Sequence, residues 1–264
     1  MIVVKVGGEV LARNIDGIVD SVGRRAGEGI VLVHGGGNIV TELCKKMGIE
    51  PKFVISPEGL RSRYTDSDEM EVYVMAMAGK INKRVVSSLL SRGVKSVGIS
   101  GVDGPTAIAE RKERIIVVDE RGRKRAIDGG YTGRIVEVRT ELIDLLLNSG
   151  FTVVMAPIAV DKSGNMLNVD ADQMAFKLSS AMRADRLVML TDVPGVLIEN
   201  NVVRRIRTCE MDELIKKVGF GMNRKLMSAA NAIEQGVKEV IISSGLVKDP
   251  LANALAGGGT IISS

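Results

Sequence analysis

Short β-branched apolar runs alternate with amphipathic patterns of helical period along the whole chain. The runs Ile2–Val6, Ile30–His34, Ser96–Ser100, Ile115–Val118, Thr152–Pro157, Leu187–Leu190 and Glu239–Ser243 predict strands. Stretches near residues 13–25, 38–47, 67–91, 139–148, 171–183, 210–217 and 223–235 predict helices. Strands that read apolar on both faces, interleaved with helices, predict an α/β chain: a mainly parallel sheet covered on both sides as a three-layer αβα sandwich. Ligands of such sheets sit at the carboxyl ends of the strands, where loops meet helix N-termini. No repeat, low-complexity segment or linker interrupts the pattern. Pro157 and the turn Asp161-Lys162-Ser163-Gly164-Asn165 mark a seam between an N-terminal lobe, about 1–160, and a C-terminal lobe, about 161–264, of one domain.

Composition narrows the picture. With 264 residues and 45% apolar content the chain can bury a sizeable core. It contains no run of eighteen apolar residues, which excludes a spanning helix. The chain enters its first strand without a basic, cleavable leader, and its two cysteines, Cys44 and Cys209, lie far apart. Both features predict a reducing, cytoplasmic setting.

The net charge of +4 is unevenly spread. Arg111, Lys112, Arg114, Arg121, Arg123, Lys124, Arg125, Arg134 and Arg139 crowd one stretch, against Glu113, Asp119, Glu120, Asp128 and Glu137. Such a stretch is either a solvated hairpin or a docking surface for a polyanion. The only aromatic side chain there is Tyr131, too few for stacking on bases, so an acidic protein fits better than nucleic acid.

Two glycine clusters follow strands: Lys5-Val6-Gly7-Gly8 and His34-Gly35-Gly36-Gly37-Asn38. Glycines admit a close ligand, and the helix that follows presents free N–H groups and a positive dipole end, a combination suited to phosphate. Neither the P-loop pattern nor the full dinucleotide pattern is present. Lys5 is the one charge in an apolar strand, a costly placement unless its ammonium reaches a site at the strand end. Downstream, Gly219-Phe220-Gly221-Met222-Asn223-Arg224-Lys225 leads into a helix. Asn223 as N-cap would place Lys225 in the first turn, where a cation opposes the helix dipole and answers to an anion. In Asn168-Val169-Asp170-Ala171-Asp172, one aspartate can cap a helix and the other is free to hold the two lysines. Thr191-Asp192-Val193-Pro194-Gly195-Val196-Leu197 is a further strand-end turn, suited to a nucleotide or simply a turn.

As an ordered set, K-V-G-G, V-H-G-G-G, N-V-D-A-D-Q, T-D-V-P-G-V and G-M-N-R-K resemble the amino-acid kinase family over nearly the whole chain. The resemblance implies a carbamate kinase-like fold and transfer of the γ-phosphoryl group of ATP, with Mg2+ carried on the nucleotide phosphates and no protein metal site. In the acetylglutamate kinase branch two lysines stabilise the moving phosphoryl group and an aspartate organises them. The matching positions are Lys5, Lys225 and Asp172. Substrate binding falls to Gly36, Gly37 and Asn168. The nucleotide would lie on Gly7, Gly8, Asp192, Gly195, Leu197, Gly219 and Gly221.

That branch usually has a compact G-L-R-x-T, whose arginine grips the substrate's α-carboxylate. The stretch Ser56-Pro57-Glu58-Gly59-Leu60-Arg61-Ser62-Arg63-Tyr64-Thr65-Asp66 carries two added residues. Arg63 matches best, with Arg61 as the alternative. This stretch, Gly129-Gly130-Tyr131-Thr132-Gly133 and the basic region resemble archaeal kinases whose aminoadipate or glutamate rides on an acidic LysW-type carrier protein. That resemblance implies phosphorylation of the side-chain carboxylate to an acyl phosphate, in lysine or arginine biosynthesis, and gives the basic stretch an acidic partner. The alternative is an N-acetylglutamate kinase acting on the free amino acid. His34, the only histidine, reads as structural, and a carboxylate nucleophile already ionised at neutral pH needs no general base. The striped helix near 67–91 suggests a homodimer face.

Overall fold

The computed structural model describes residues 1–59 and 61–264, and all their side chains except those of Asp212 and Phe220; Leu60, within the arginine motif above, lies outside the described residues. In chain order the elements begin with strand β1 (Ile2–Val6), helix α1 (Gly8–Gly23), β2 (Ile30–His34), α2 (Gly37–Lys46) and the β3–β4 hairpin (Lys52–Ile55, Arg61–Tyr64). Helix α3 (Ser67–Val74) continues through a π-helical segment, Met75–Ile81, into α4 (Asn82–Leu90). Then come β5 (Ser96–Ser100), β6 (Ala107–Arg111), the β7–β8 hairpin (Arg114–Val118, Lys124–Asp128), β9 (Gly133–Val138), α5 (Glu141–Asn148), β10 (Thr152–Ala156), β11 (Ile158–Val160) and β12 (Met166–Asn168). The rest comprises α6 (Ala171–Ala181), β13 (Arg186–Thr191), the short β14 and β15 (Leu197–Ile198, Asn201–Val202), β16 (Arg205–Arg207), α7 (Met211–Leu214), α8 (Phe220–Glu234), β17 (Glu239–Ser244), α9 (Pro250–Leu255) and β18 (Thr260–Ser263).

Eight strands form the central sheet in the order β16-β18-β17-β13-β1-β2-β10-β5. Six run parallel, and β18 meets β17 antiparallel. The mainly parallel sheet expected from the pattern is therefore present. The seven predicted strands all form; charge-rich strands such as Arg61-Ser62-Arg63-Tyr64 and Lys124-Arg125-Ala126-Ile127-Asp128 lack the apolar signature and escape prediction.

The period-two alternation of side chains decides what each face carries. Ile2, Val4 and Val6 pack with Leu32, Val188 and Leu190 under α1, α2, α4 and α9. Val3 packs on the opposite face with Val31, Val33, Leu187 and Met189, beneath α6 and α8. Lys5 shares the side of Val3, so its ammonium emerges between the sheet and these two helices. A smaller sheet, β12-β11-β6-β9, extends this second core through Ala107, Ala109, Ile135 and Leu167.

The stretch 114–128 folds as the charged hairpin, with Arg114 opposite Asp128 and Val118 opposite Lys124. Five cations of the wider basic region are paired locally: Arg111 with Asp128, Arg123 and Arg125 with Asp119, Arg134 with Glu110, and Arg139 with Glu137. Among the described residues no helix is long and apolar enough to cross a membrane.

Candidate active site

Strands β1 and β2 are neighbours in register, Val6 opposite His34, so their glycine turns leave the sheet edge side by side. They touch backbone to backbone: a Cβ on Gly8 would lie 2.6 Å from the Gly36 nitrogen. Gly36 in turn packs beneath Ile81, at the end of the π segment, and has no room for a side chain. Gly37 faces open space at the start of α2. The glycines thus serve first as a close approach of two loops, with open space beside Gly37.

Above these turns, Asp170 caps α6, accepting hydrogen bonds from the Asp172 and Gln173 N–H groups. Asp172, relieved of capping, pairs with both lysines. The Lys5 ammonium lies 2.6 Å from Oδ1, an ion contact outside hydrogen-bonding geometry, and Lys225 donates a hydrogen bond to Oδ2. Lys5 and Lys225, 220 positions apart in the chain, thereby converge on one carboxylate. Burial alone would raise the Asp172 carboxyl, but the two ammonium groups outweigh it and hold it well below the usual carboxylate range. The group stays ionised at neutral pH, and the three side chains together carry a net single positive charge.

One expectation fails here. The helix bearing Lys225 starts at Phe220 with Gly219 as N-cap, so Asn223 lies inside it and Lys225 falls in the second turn, not the first. Glycine offers no capping side chain and so no signal; Asn223 looked like a cap by residue type alone. Lys225 is held by its ion pair with Asp172, not by an anion at the helix end.

A cleft of about 710 Å³ opens over this centre, lined by Asp172, Gly221, Lys225, Arg61, Arg224 and Lys112 among others. Asp192, Gly195 and Leu197 are not among its lining residues. They follow β13, whose Leu190 pairs with Val6, and Gly7 donates to the Leu190 carbonyl at 3.1 Å; the turn therefore leaves the same sheet edge. Gly195 packs against Thr260, whose hydroxyl oxygen accepts from the Val196 N–H, a structural arrangement. Asp192 and Leu197 are exposed.

On the other side of the glycine turns, Asn168 donates to the Thr65 hydroxyl at 2.8 Å, and Tyr131 N–H donates to the Thr65 carbonyl at 2.7 Å. Arg63 donates to the Gly37 carbonyl at 2.7 Å, to the Thr41 hydroxyl and to Glu69. Through Arg63 and Thr65, two positions apart in the chain, hydrogen bonds thus reach Gly37 on one side and Asn168 on the other. Arg61 stacks on Phe53, 3.6 Å from the ring centre, with Arg63 at 4.9 Å from the same ring, and Arg61 also lines the open cleft. Thr65 and Glu69 carried no role in the sequence reading. The signal for Glu69 was present, since it stands on the buried stripe of its helix with Val72, Tyr73 and Ala76.

His34 is fully buried and makes no contact with the cleft; burial pushes its imidazole down to about 4, against a smaller upward pull from the Gly35 carbonyl. It is neutral at physiological pH. Asn82 donates to the Val154 carbonyl at 2.9 Å and lies 3.4 Å from His34 Nε2, completing a structural network. Among the described residues no group of three His, Cys, Asp or Glu side chains could hold a metal ion.

A model of the amino acid kinase family matches residues 1–244. The [LysW]-aminoadipate/[LysW]-glutamate kinase of Sulfolobus acidocaldarius is 53% identical over 263 residues, covering 99% of this chain and all of that protein. The protein of the same name from Metallosphaera sedula is 52% identical over 264 residues, all of both chains. Among solved structures, N-acetylglutamate synthase from Neisseria gonorrhoeae superposes with a TM-score of 0.81 at 24% identity, over all of this chain and 59% of that one, a likeness of fold.

Proposed function

This chain belongs to the amino acid kinase family, and we propose that it transfers the γ-phosphoryl group of ATP to the side-chain carboxylate of carrier-bound 2-aminoadipate or glutamate. The observation that carries the chemistry is the pairing of Lys5 and Lys225 on Asp172 beside the two glycine turns. The substrate reading follows the full-length similarity to kinases named for LysW-bound aminoadipate and glutamate.

The substrate carboxylate attacks the γ-phosphorus in line, the bond to the β,γ-bridging oxygen breaks, and the products are an acyl phosphate and ADP. Phosphoryl transfer demands positioning and neutralisation of spreading negative charge more than proton transfer. Lys5 and Lys225 supply that neutralisation, and Asp172 holds both ammonium groups at one place without cancelling them. The nucleophile is already ionised, which agrees with a sole histidine that is neutral and out of reach. The donor set suits Mg2+ borne by the nucleotide: Asp172 is committed to two lysines and has no lone oxygen to offer a cation. Magnesium, when bound, would neutralise phosphate charge.

Gly36 and Gly37, Arg63 and Asn168 bound the acyl pocket, with Arg63 on the α-carboxylate. Gly7, Gly8, Gly219 and Gly221 face the phosphates, and Asp192, Gly195 and Leu197 carry the rest of the nucleotide. The acyl pocket lies mainly in the lobe of residues about 1–160, with Asn168 contributed by the other, and the nucleotide side mainly in about 161–264, with Gly7 and Gly8 contributed by the first. The tethering carrier is an acidic protein. Lys112, which lines the cleft, and Arg114, Arg121 and Lys124 form no ion pair among the described residues and remain available to it. The protein works in the cytoplasm as a homodimer through the 67–90 helix.

The test is turnover on carrier-bound aminoadipate against free N-acetylglutamate, trapping the acyl phosphate as its hydroxamate. Preference for the carrier-bound substrate is expected. Efficient turnover of free N-acetylglutamate alone would reverse the substrate assignment.

A further inference from the structure

Glu69 is the one acidic residue among those described that is fully buried, with 1% of its surface exposed, and the mechanism above does not use it. It occupies the third position of α3, whose N-cap Asp66 accepts from the Glu69 N–H at 3.0 Å. A glutamate at that position ordinarily reaches back to the N-cap N–H. Here the side chain turns inward instead and accepts a hydrogen bond from Arg63 through Oε1. Its other oxygen, Oε2, is buried with no hydrogen-bond partner, and the Lys52 backbone N–H adds only a smaller attraction. Burial raises the carboxyl above its ordinary value, and Arg63 is the strongest influence opposing that rise.

Stability does not explain this choice of residue. A buried carboxylate with one unsatisfied oxygen bears a desolvation cost that its ion pair does not generally recover, and apolar replacements of such buried pairs are often as stable. What the pair does provide is orientation. The Arg63 guanidinium is held from three sides: Nη1 on Glu69, and Nη2 on both the Gly37 carbonyl and the Thr41 hydroxyl. Of its five N–H groups, two remain uncommitted among the described residues. The side chain is only 10% exposed, with the Phe53 ring centre 4.9 Å from the guanidinium, so a ligand reaching those N–H groups would meet them largely out of water.

We infer that Glu69 is a positioning residue for the acyl substrate: it locks the Arg63 guanidinium against Gly37 so that the uncommitted N–H groups meet the substrate's α-carboxylate in one fixed orientation. This rests on the reading of Arg63 as the carboxylate-binding arginine. Glu69 touches no substrate atom and acts through Arg63 alone. Because the pair is electrically balanced, its contribution lies in substrate binding and not in charge stabilisation during transfer.

The experiment compares Glu69→Gln, Glu69→Asp and Arg63→Ala in steady-state kinetics with carrier-bound aminoadipate, alongside thermal melts. Glu69→Gln keeps the shape and one acceptor but removes the charge. The expected result is a KM for the acyl substrate raised about tenfold, with KM for ATP within twofold and kcat changed less than KM. Glu69→Asp, which restores the charge at a shorter reach, should recover part of that loss. A lowered melting temperature with both KM values unchanged would assign Glu69 to stability and overturn the inference, as would Glu69→Asp performing no better than Glu69→Gln. Arg63→Ala separates the premise from the inference. If it raises the acyl KM while Glu69→Gln does not, only the role of Glu69 falls; if it leaves that KM unchanged, the assignment of Arg63 falls and this one with it.

Discussion

Two ion clusters flank the glycine turns, and they are built to opposite rules. In the cleft, one carboxylate, Asp172, serves two lysines, leaving a net positive charge. Beside Gly37, at the proposed acyl pocket, one guanidinium, Arg63, meets one buried carboxylate, Glu69, and the charges cancel. The first cluster can answer charge that appears during reaction; the second can only orient a group already bound. The comparison teaches that exposure of a charge matters less than its balance, since both clusters are largely buried. It also predicts a division of labour, with kcat governed by one cluster and KM for the acyl substrate by the other.

The largest expected effect breaks that comparison if it is absent. Lys225→Met should lower kcat about 10³-fold, the scale of losing one preorganised charge-stabilising donor, with both KM values within a few-fold and the fold intact by circular dichroism. Near-normal turnover would remove the basis for the enzyme assignment.

His34 tests whether the charge count at the turns is right. Its imidazole is held down from the ordinary 6.5 to about 4 by burial. The folded protein therefore excludes a proton that the unfolded chain accepts, so this stability is complete above pH 6.5 and lost as pH falls toward 4. The loss is roughly 3 kcal/mol, from about 1.36 kcal/mol per unit. Denaturant titrations at pH 7.5 and 4 should show it in the wild type and not in His34→Asn.

Asp172→Asn frees the two lysines from each other without removing them. We expect kcat to fall about 10²-fold, the scale of misplacing a catalytic group by an ångström. Asp172 is held below its ordinary value, so its stabilising contribution is full above about pH 3.9 and declines as pH drops through the native value. The stability difference between wild type and variant should be flat from pH 5 to 8 and shrink below about pH 4.

Asn168→Ala has the smallest effect and sharpens the other half of the comparison. Loss of the hydrogen bond to Thr65 and of one substrate donor should raise the acyl KM about tenfold, near 1.4 kcal/mol, leaving KM for ATP unchanged. An equal rise in both KM values would show that the two pockets are not separable.

Much of the site was readable before any coordinates. Lys5 declared itself as a charge in an apolar strand, and either Asp170 or Asp172 could cap, leaving the other free; the fold assigns capping to Asp170. The start of α8 was misread because Gly219 caps without a side chain. Glu69 went unremarked because a glutamate in the first turn of a helix is ordinary, and only its inward direction is not.

The sequence by itself determined the layered α/β fold and the strand-end placement of the glycine turns, because hydrophobic period and backbone sterics act locally, and it marked Lys5 as a charge out of place in an apolar strand. Only the tertiary structure decided which charges pair. Lys5 and Lys225 meet because the period-two alternation of β1 and the packing of α6 beside α8 bring them to one side of one sheet, and Glu69 finds Arg63 because a hairpin folds over α2. Coulomb energies depend on distance in space and on burial, neither of which is written in the order of residues.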